Sequence, residues 1–456
     1  MKVLLIQAYH GRYEPDGIIF PIGLCYIATA LKGHDVQIID LNAYDDPYDE
    51  LMSRILTFEP DIAGISLRNI DTTQKRDPFF YYQTLEPTVH IIKENQVSAR
   101  IVIGGSGFSM FAREIMTRIP QIDFGVYLEG EESTPELLQN LSRPETVKGI
   151  FVRKADGVVF TGHRPLLDVI SLPAPERHFL NVKSYDHPVY TNIGIQTKRG
   201  CPLMCAYCSY PFLNGRQIRA RSARQVADEI ECLKREYNIR RFMFIDSVFN
   251  VPSQHAEDIC KEMINRRLDV EWSAYFNIRG FSEELLNLAI GAGCKNFSFS
   301  PDAVTDRSLK ALGKGITEQD ISTVIRMLVK TKGVRVEFHV FCTPPGQTFL
   351  GILKTLFFFF KVNALFLGRA VVHLGWIRIE PETGIFEIAK SEGLISEKTD
   401  LLPHNEQGLK SLFYSCPGTR HYGDFVFNVI LTLQDMLLPR AKTFLRRNRG
   451  KKWIQK

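Results

Sequence analysis

Gly200-Cys201-Pro202-Leu203-Met204-Cys205-Ala206-Tyr207-Cys208-Ser209-Tyr210 decides how this chain is read. Cys201, Cys205 and Cys208 fall within eight residues, denser than core packing uses. A closed tetrahedral zinc site would need a fourth cysteine or histidine close by. The next histidine, His255, is distant and lies on a predicted helix. Three thiolates that leave one position open suit a cubane iron–sulfur cluster, whose usual ligands are cysteine thiolates.

Around this cluster the composition is ordinary. The chain has 456 residues, longer than one hydrophobic core usually grows, so two or three domains are expected. Its 45% hydrophobic and 23% charged residues are those of a soluble globular protein. A net charge of +5 is too mild to argue for nucleic acid, and none is expected as a partner. The other cysteines are scattered. Met1-Lys2-Val3 runs directly into an apolar strand rather than a charged-then-apolar leader. A cytoplasmic, reducing location follows as the expectation, with Cys25, Cys232, Cys260 and Cys294 acting as small buried hydrophobes. The longest apolar stretch, TLFFFFKVNALFLG, is interrupted by Lys361 and Asn363.

The first third alternates short β-branched runs with helical segments. Strands are predicted at Lys2–Gln7, Asp35–Ile39, Ile62–Ser66, Arg100–Ile103 and Phe124–Leu128. Helices are predicted at 23–32, 49–58, 82–94, 108–118 and 135–141. This order implies a doubly wound parallel α/β sheet over residues 1–142, with ligands beyond the carboxyl ends of the strands. Those ends carry Ala8-Tyr9-His10, Leu67-Arg68-Asn69, Gly104-Gly105-Ser106-Gly107 and Glu129-Gly130-Glu131. Residues 143–189 read as a connector, in which KADGVVF suggests a small hairpin. A second βα series occupies 190–384, with strands predicted at 193–198, 242–246, 271–276, 296–300, 335–341 and 376–379. Six parallel strands fit an incomplete (β/α)6 barrel whose function gathers on the loops after the strands. The cysteines follow the first of them. Residues 385–456 form an extension expected to be helical.

The C-x3-C-x2-C spacing on a glycine-led loop after the first barrel strand resembles the radical S-adenosylmethionine (radical SAM) superfamily. That resemblance implies a [4Fe–4S] cluster held by Cys201, Cys205 and Cys208, whose open iron chelates the methionine moiety of SAM. One-electron cleavage of the sulfonium would then release a 5′-deoxyadenosyl radical. Tyr207 matches the aromatic residue that approaches the adenine. PIGLCYIATALKGHDVQIIDL, IVIGGSGFS and YLEGEES upstream look like the cobalamin (B12)-binding, Rossmann-like domain that precedes many such barrels. Gly104, Gly105, Gly107, Glu129 and Gly130 are the cobalamin contacts this implies. The Asp-x-His-x-x-Gly motif of other B12 proteins is absent, which leaves the lower axial ligand unassigned and His10 an ordinary loop residue. Downstream, the family pattern implies SAM contacts at Asp246 (with Ser247 and Asn250 near it), Arg279, Ser300 and Asp302. Ser300 and Asp302 replace the polar members of the usual Gly-x-Glu-Ser segment, and Gln347 stands where glutamate is common.

The resemblance is nearest to B12-binding radical SAM enzymes of lipid and secondary metabolism. It implies a C-methyltransferase acting on an unactivated carbon, with a small-molecule or lipid substrate and an electron donor such as flavodoxin or ferredoxin. Two alternatives stay open. One is a rearrangement, cyclisation or carbon–carbon coupling without methylation; the other is a non-catalytic cobalamin or redox sensor. The tail carries Arg440, Lys442, Arg446, Arg447, Arg449, Lys451, Lys452 and Lys456 and no acid after an apolar helix, so peripheral contact with an anionic membrane is expected of it.

Overall fold

The computed structural model describes residues 1–11, 18–187 and 191–437. The basic tail therefore lies outside the described residues. The first sheet holds β1 (Lys2–Gln7), β2 (Asp35–Asp40), β3 (Ile62–Ser66), β4 (Arg100–Gly104), β5 (Phe124–Val126), β6 (Ile150–Lys154) and β7 (Gly157–Phe160). Their order is β2-β1-β3-β4-β5-β6-β7. The first five strands run parallel, so both faces of the sheet are covered. This explains why Val3-Leu4-Leu5-Ile6 is uninterruptedly apolar and buried. The KADGVVF hairpin is no free connector. Its two strands, β6 and β7, add to this sheet antiparallel at the β5 edge. Local hairpin signals say nothing about which sheet an edge will accept.

The second series comprises β8 (Gly194–Ile195), β9 (Lys198–Arg199), β10 (Arg219–Ala220), β11 (Arg241–Phe244), β12 (Glu271–Phe276), β13 (Cys294–Asp302), β14 (Arg335–Phe341) and β15 (Ala370–Gly375). An open six-stranded sheet forms in the order β15-β14-β13-β12-β11-β8, with β11 to β15 parallel. This is the incomplete barrel expected, with two departures. The run 193–198 is split: β9 leaves the sheet and pairs antiparallel with β10. The sixth strand is β15 rather than 376–379. Leu367 and Gly368 both adopt positive φ and stop the preceding helix, which frees Ala370–Gly375 to pair with β14. Within 376–379, β16 (Ile377–Arg378) pairs with β17 (Phe413–Tyr414) instead.

Helices cover the strands as the patterns require. The helix Ala223–Tyr237 begins at a capping box, with Ser222 and Gln225 satisfying each other's backbone N–H, and ends on left-handed Asn238. The C-terminal extension adds the helices Gly384–Ser391, Glu406–Ser411 and Arg420–Leu437. Cys25, Cys260 and Cys294 are buried as expected, whereas Cys232 is half-buried. The chain forms two compact units. Most residues up to Ile239 belong to the first; the second takes Arg240 onward together with 73–75 and 202–209.

Candidate functional site

The cysteine-bearing loop is held backbone against backbone. Gly200 has φ +95°, and a Cβ there would stand 2.0 Å from the Gln217 carbonyl oxygen, so only glycine fits before Cys201. The Cys201 amide donates to the Gly215 carbonyl at 3.0 Å. In the second unit, the Ala206 amide donates to Leu312 O (2.8 Å), and Ala206 O accepts from the Ile385 amide (2.7 Å). Gly313, at φ +66°, lies so close that a Cβ would meet Met204 O at 2.4 Å. The segments LGKG and PETG therefore serve the cysteine loop by letting their backbones approach it. None of the three cysteines is in a disulfide. Three free thiols so carried form a donor set that suits an iron–sulfur cluster.

Tyr207 sits inside this loop on a buried polar brace. Its hydroxyl donates to Asp302 Oδ2 at 2.5 Å, and Lys314 Nζ reaches the same oxygen at 2.5 Å. The Lys314 ammonium also lies 5.6 Å from the Tyr207 ring centroid, and Phe341 packs edge-on against that ring at 4.9 Å. Burial pushes the Tyr207 phenol well up, and the Asp302 charge adds to this. For Lys314, burial works against the ammonium, but Asp302 outweighs it and raises its proton affinity. The Tyr207 phenol and the Lys314 ammonium thus both keep their protons beside Asp302. Asp302 is held at φ +66°, an unusual conformation for a residue with a β-carbon. Its carboxylate ties the Cys205–Cys208 turn to β13. Lys314, which completes the brace, was invisible as a site residue because a lysine in a Gly-Lys-Gly loop reads as solvated.

The remaining SAM candidates divide. Asp246 is buried at the end of β11, Ser300 is half-buried on β13, and Arg279 is exposed after β12. Asn250 bonds both the amide (2.7 Å) and the carbonyl (3.0 Å) of Asn277, so its amide group joins the loops after β11 and β12.

A polar belt that sequence reading missed crosses β13 to β15. Glu337 and His339 alternate with Val336, Phe338 and Val340, and the latter set faces the covering helix through Phe338–Phe358 and Phe338–Phe366 contacts. Phe341 belongs to the Glu337–His339 set by the same alternation, so the belt shares its face with the Tyr207 ring. Asn296 Nδ2 and Ser298 Oγ donate to Glu337 at 2.8 and 2.9 Å. The His339 and His373 rings stack at 4.6 Å, directly opposite in register. Burial works against the Glu337 charge, but His339 beside it and its amide and hydroxyl donors hold the carboxyl down at about 2. The donor atoms of Glu337, His339 and His373 lie within 4.8 Å of one another, close enough to grip one polar group or cation. The detectable signal was the Glu-x-His alternation inside an otherwise apolar strand.

In the first unit the strand-end loops interlock. A Cβ on Gly105 (φ +101°) would be 2.5 Å from Leu67 O, and one on Gly107 would be 2.8 Å from the Asn69 carbonyl carbon. These glycines therefore let the loop after β4 rest on the loop after β3. Gly104 has no such close neighbour and stays half-buried beside Ser106. Glu129 accepts from Arg219 at 2.8 and 2.9 Å, from Arg199 at 3.2 Å and from the Leu167 amide at 2.8 Å. Burial tends to raise its proton affinity, yet the Arg219 bonds lower it overall. Arg199 also pairs with Glu131. The Glu129 carboxylate is thus spent on arginines of its own unit, and Gly130 is packed against Ile27, Val126 and Thr134. His10 is buried against the Tyr81 ring, with its amide donating to Asn42 Oδ1 at 2.7 Å. Gly104–Ser106 and Tyr127–Leu128 are half-buried at the strand ends, and the first three are small enough to let a ligand approach the backbone closely.

Family comparison covers both βα series of the chain. Residues 13–138 match the B12 binding domain, and residues 195–359 match the radical SAM superfamily. The chain is a B12-binding radical SAM protein. Its cofactors are cobalamin for the first domain, and SAM with a [4Fe–4S] cluster for the second. An uncharacterised methyltransferase of Pyrococcus horikoshii is 30% identical over 315 residues, 68% of this chain and 66% of that protein. The anaerobic magnesium-protoporphyrin IX monomethyl ester cyclase of Rubrivivax gelatinosus is 28% identical over 353 residues, 74% of this chain and 61% of the cyclase. The match thus spans just under two thirds of each relative's length. The fold is shared with the radical SAM methyltransferase TsrM of Kitasatospora setae, at TM-score 0.76 and 21% identity over 91% of this chain and 84% of TsrM.

Replacing Asp302 with Ala leaves the buried Lys314 ammonium uncompensated and should cost about 3–5 kcal/mol of stability. Thermal unfolding together with iron per chain after reconstitution checks it, and unchanged values in both would refute the brace. For His10, burial and then the Arg68 charge push the imidazole down to about 3. The unfolded chain titrates near about 6.5 and so binds a proton the folded one refuses. Stability present above that pH should be lost as the pH falls towards about 3. Wild-type melting temperature should therefore drop more steeply between pH 6.5 and 5 (roughly the first part of that window) than that of His10→Gln.

Proposed function

We propose that this protein is a cobalamin-dependent C-methyltransferase that acts on an unactivated carbon. The observation that carries the reading is the rigidly held three-thiol loop in a chain that also has a B12-binding domain. Methyltransferases among the relatives support it. When bound, the cluster with SAM would supply radical hydrogen abstraction, and cobalamin would supply the methyl group. The chain's own residues hold Cys201, Cys205 and Cys208 in place through Gly200, Gly313 and the Asp302 brace. The belt of Glu337, His339 and His373 orients the substrate's polar group on the Tyr207 face, leaving its apolar part to the carbon chemistry. Fixing that orientation selects one carbon among many of similar reactivity.

The cyclase relative favours a second reading, cyclisation with the same cofactors and no net methylation. Small-molecule or lipid substrate and a flavodoxin- or ferredoxin-type donor remain part of the proposal, as does a cytoplasmic location.

Anaerobic, reduced protein should convert SAM to 5′-deoxyadenosine, and the triple variant Cys201→Ala, Cys205→Ala, Cys208→Ala should lose both turnover and the cubane spectrum. A variant that keeps that spectrum sinks the ligand assignment. Metabolite profiles of a deletion strain should contain a compound lighter by one CH2 than its wild-type counterpart. A missing ring with no mass change of that kind would favour cyclisation. Glu337→Ala should leave 5′-deoxyadenosine formation intact while lowering methylated product per 5′-deoxyadenosine released.

A further inference from the structure

Two helices of the second unit turn one continuous apolar surface outward. On Phe349–Phe366, the side chains Phe349, Leu353, Phe357 and Phe360 recur at helical spacing on one side and are 46–66% exposed. Leu350 widens the stripe. The opposite side, with Ile352, Thr355, Phe358, Val362 and Phe366, is buried on the sheet. Helix Arg420–Leu437 repeats the pattern with Tyr422, Phe425, Val429 and Leu433 outward and Phe427 inward. The Phe349 and Tyr422 rings meet at 6.0 Å and join the two stripes.

This surface is fixed. Asp424 on the second helix accepts from Lys75 Nζ, Trp376 Nε1 and Ser415 Oγ at 2.7, 2.7 and 2.9 Å. Gly423 gives the helix its closest approach, where a Cβ would stand 2.8 Å from Thr343 and 3.1 Å from Ile352. Neither helix can roll its aromatic side chains inward without breaking these contacts. Soluble monomers seldom expose contiguous apolar area on this scale unless something binds there.

We propose that this two-helix face is a membrane-docking surface that lies flat in the headgroup region of an anionic bilayer. The charge around it argues for that occupant. Lys361 sits beside Phe357, its ammonium 5.8 Å from the ring centroid, and Lys354 lies on the same flank, paired with Glu318. The sequence after the second helix, 438–456, carries eight Lys and Arg and no Asp or Glu. Apolar stripe and basic flank together are what an interfacial helix presents to acidic lipid. The helix Phe349–Phe366 has the length and apolarity of a span. It lies on the bilayer rather than crossing it because its other side is committed to the protein's own sheet. Docking does not rest on the methyl-transfer reading, and the two can fail separately.

The test is flotation of the full-length, cluster-loaded protein with phosphatidylcholine vesicles, with and without phosphatidylglycerol. Protein should float with the anionic vesicles and less with neutral ones. High salt should weaken it, since the screening length falls from about 30 Å at 0.01 M to about 3 Å at 1 M. The double variant Phe357→Glu, Phe425→Glu should fall to the vesicle-free level while keeping its iron content and circular dichroism. Truncation after residue 439 should lose the salt-dependent part and retain the rest. If wild-type protein stays in the soluble fraction with anionic vesicles at low salt, the proposal is overturned. A wild-type dimer by light scattering that the double variant dissociates, without flotation, overturns it in favour of an interface between two copies.

Discussion

The part of the cysteine loop that belongs to the second unit, residues 202–209, depends on how closely other backbones of that unit approach it. A cluster held by three thiolates tolerates little drift in their positions, and an eleven-residue loop rich in small residues has no core of its own to hold it. The chain solves this with glycine. At Gly313 the loop passes where a β-carbon would stand 2.4 Å from Met204 O, and a β-carbon on Gly384 would stand 3.1 Å from Ala206 O. Hydrogen bonds then run directly between main chains, free of rotamer entropy. The Tyr207–Asp302–Lys314 brace adds a charge-assisted lock in a buried setting, where such bonds are strong and their loss is costly.

The first unit sets ion pairs beside the same glycine device. Glu129 and Glu131, in the loop after β5, take Arg199 of β9 and Arg219 of β10 across long sequence separations. A second buried group, Glu229 between Arg177 and Arg221, anchors the helix Ala223–Tyr237. Glu129 and Glu229 are each shared by two guanidiniums, so the burial cost of one charge is set against two partners. Glu129, a ligand contact in the linear reading, is held in place by Arg199 and Arg219.

The belt on β13 to β15 and the apolar face on the two helices both come from alternation that local reading blurred. Strand β14 has period two, with aliphatic and aromatic side chains towards the helices and Glu337 and His339 the other way. In Phe349–Phe366 so many positions are apolar that the pattern conceals which side is buried. Only packing against Phe338 separates Phe358 and Phe366 from Phe357 and Phe360.

The chain's sequence by itself determined the two βα series, the thiol set Cys201, Cys205 and Cys208, and the glycine-led loop that carries them. These are local properties: period-two runs, capping signals such as Ser222 with Gln225, and cysteine spacing on consecutive residues. Tertiary structure alone decided that the hairpin β6–β7 joins the first sheet, that β15 replaces 376–379 as the sixth strand, and that Glu129 and Asp302 face arginine and lysine of their own units. Edge pairing, ion-pair partners and the buried side of a helix depend on residues tens to hundreds of positions away. A carboxylate's role follows from the cation that reaches it, and that cation is chosen by the fold.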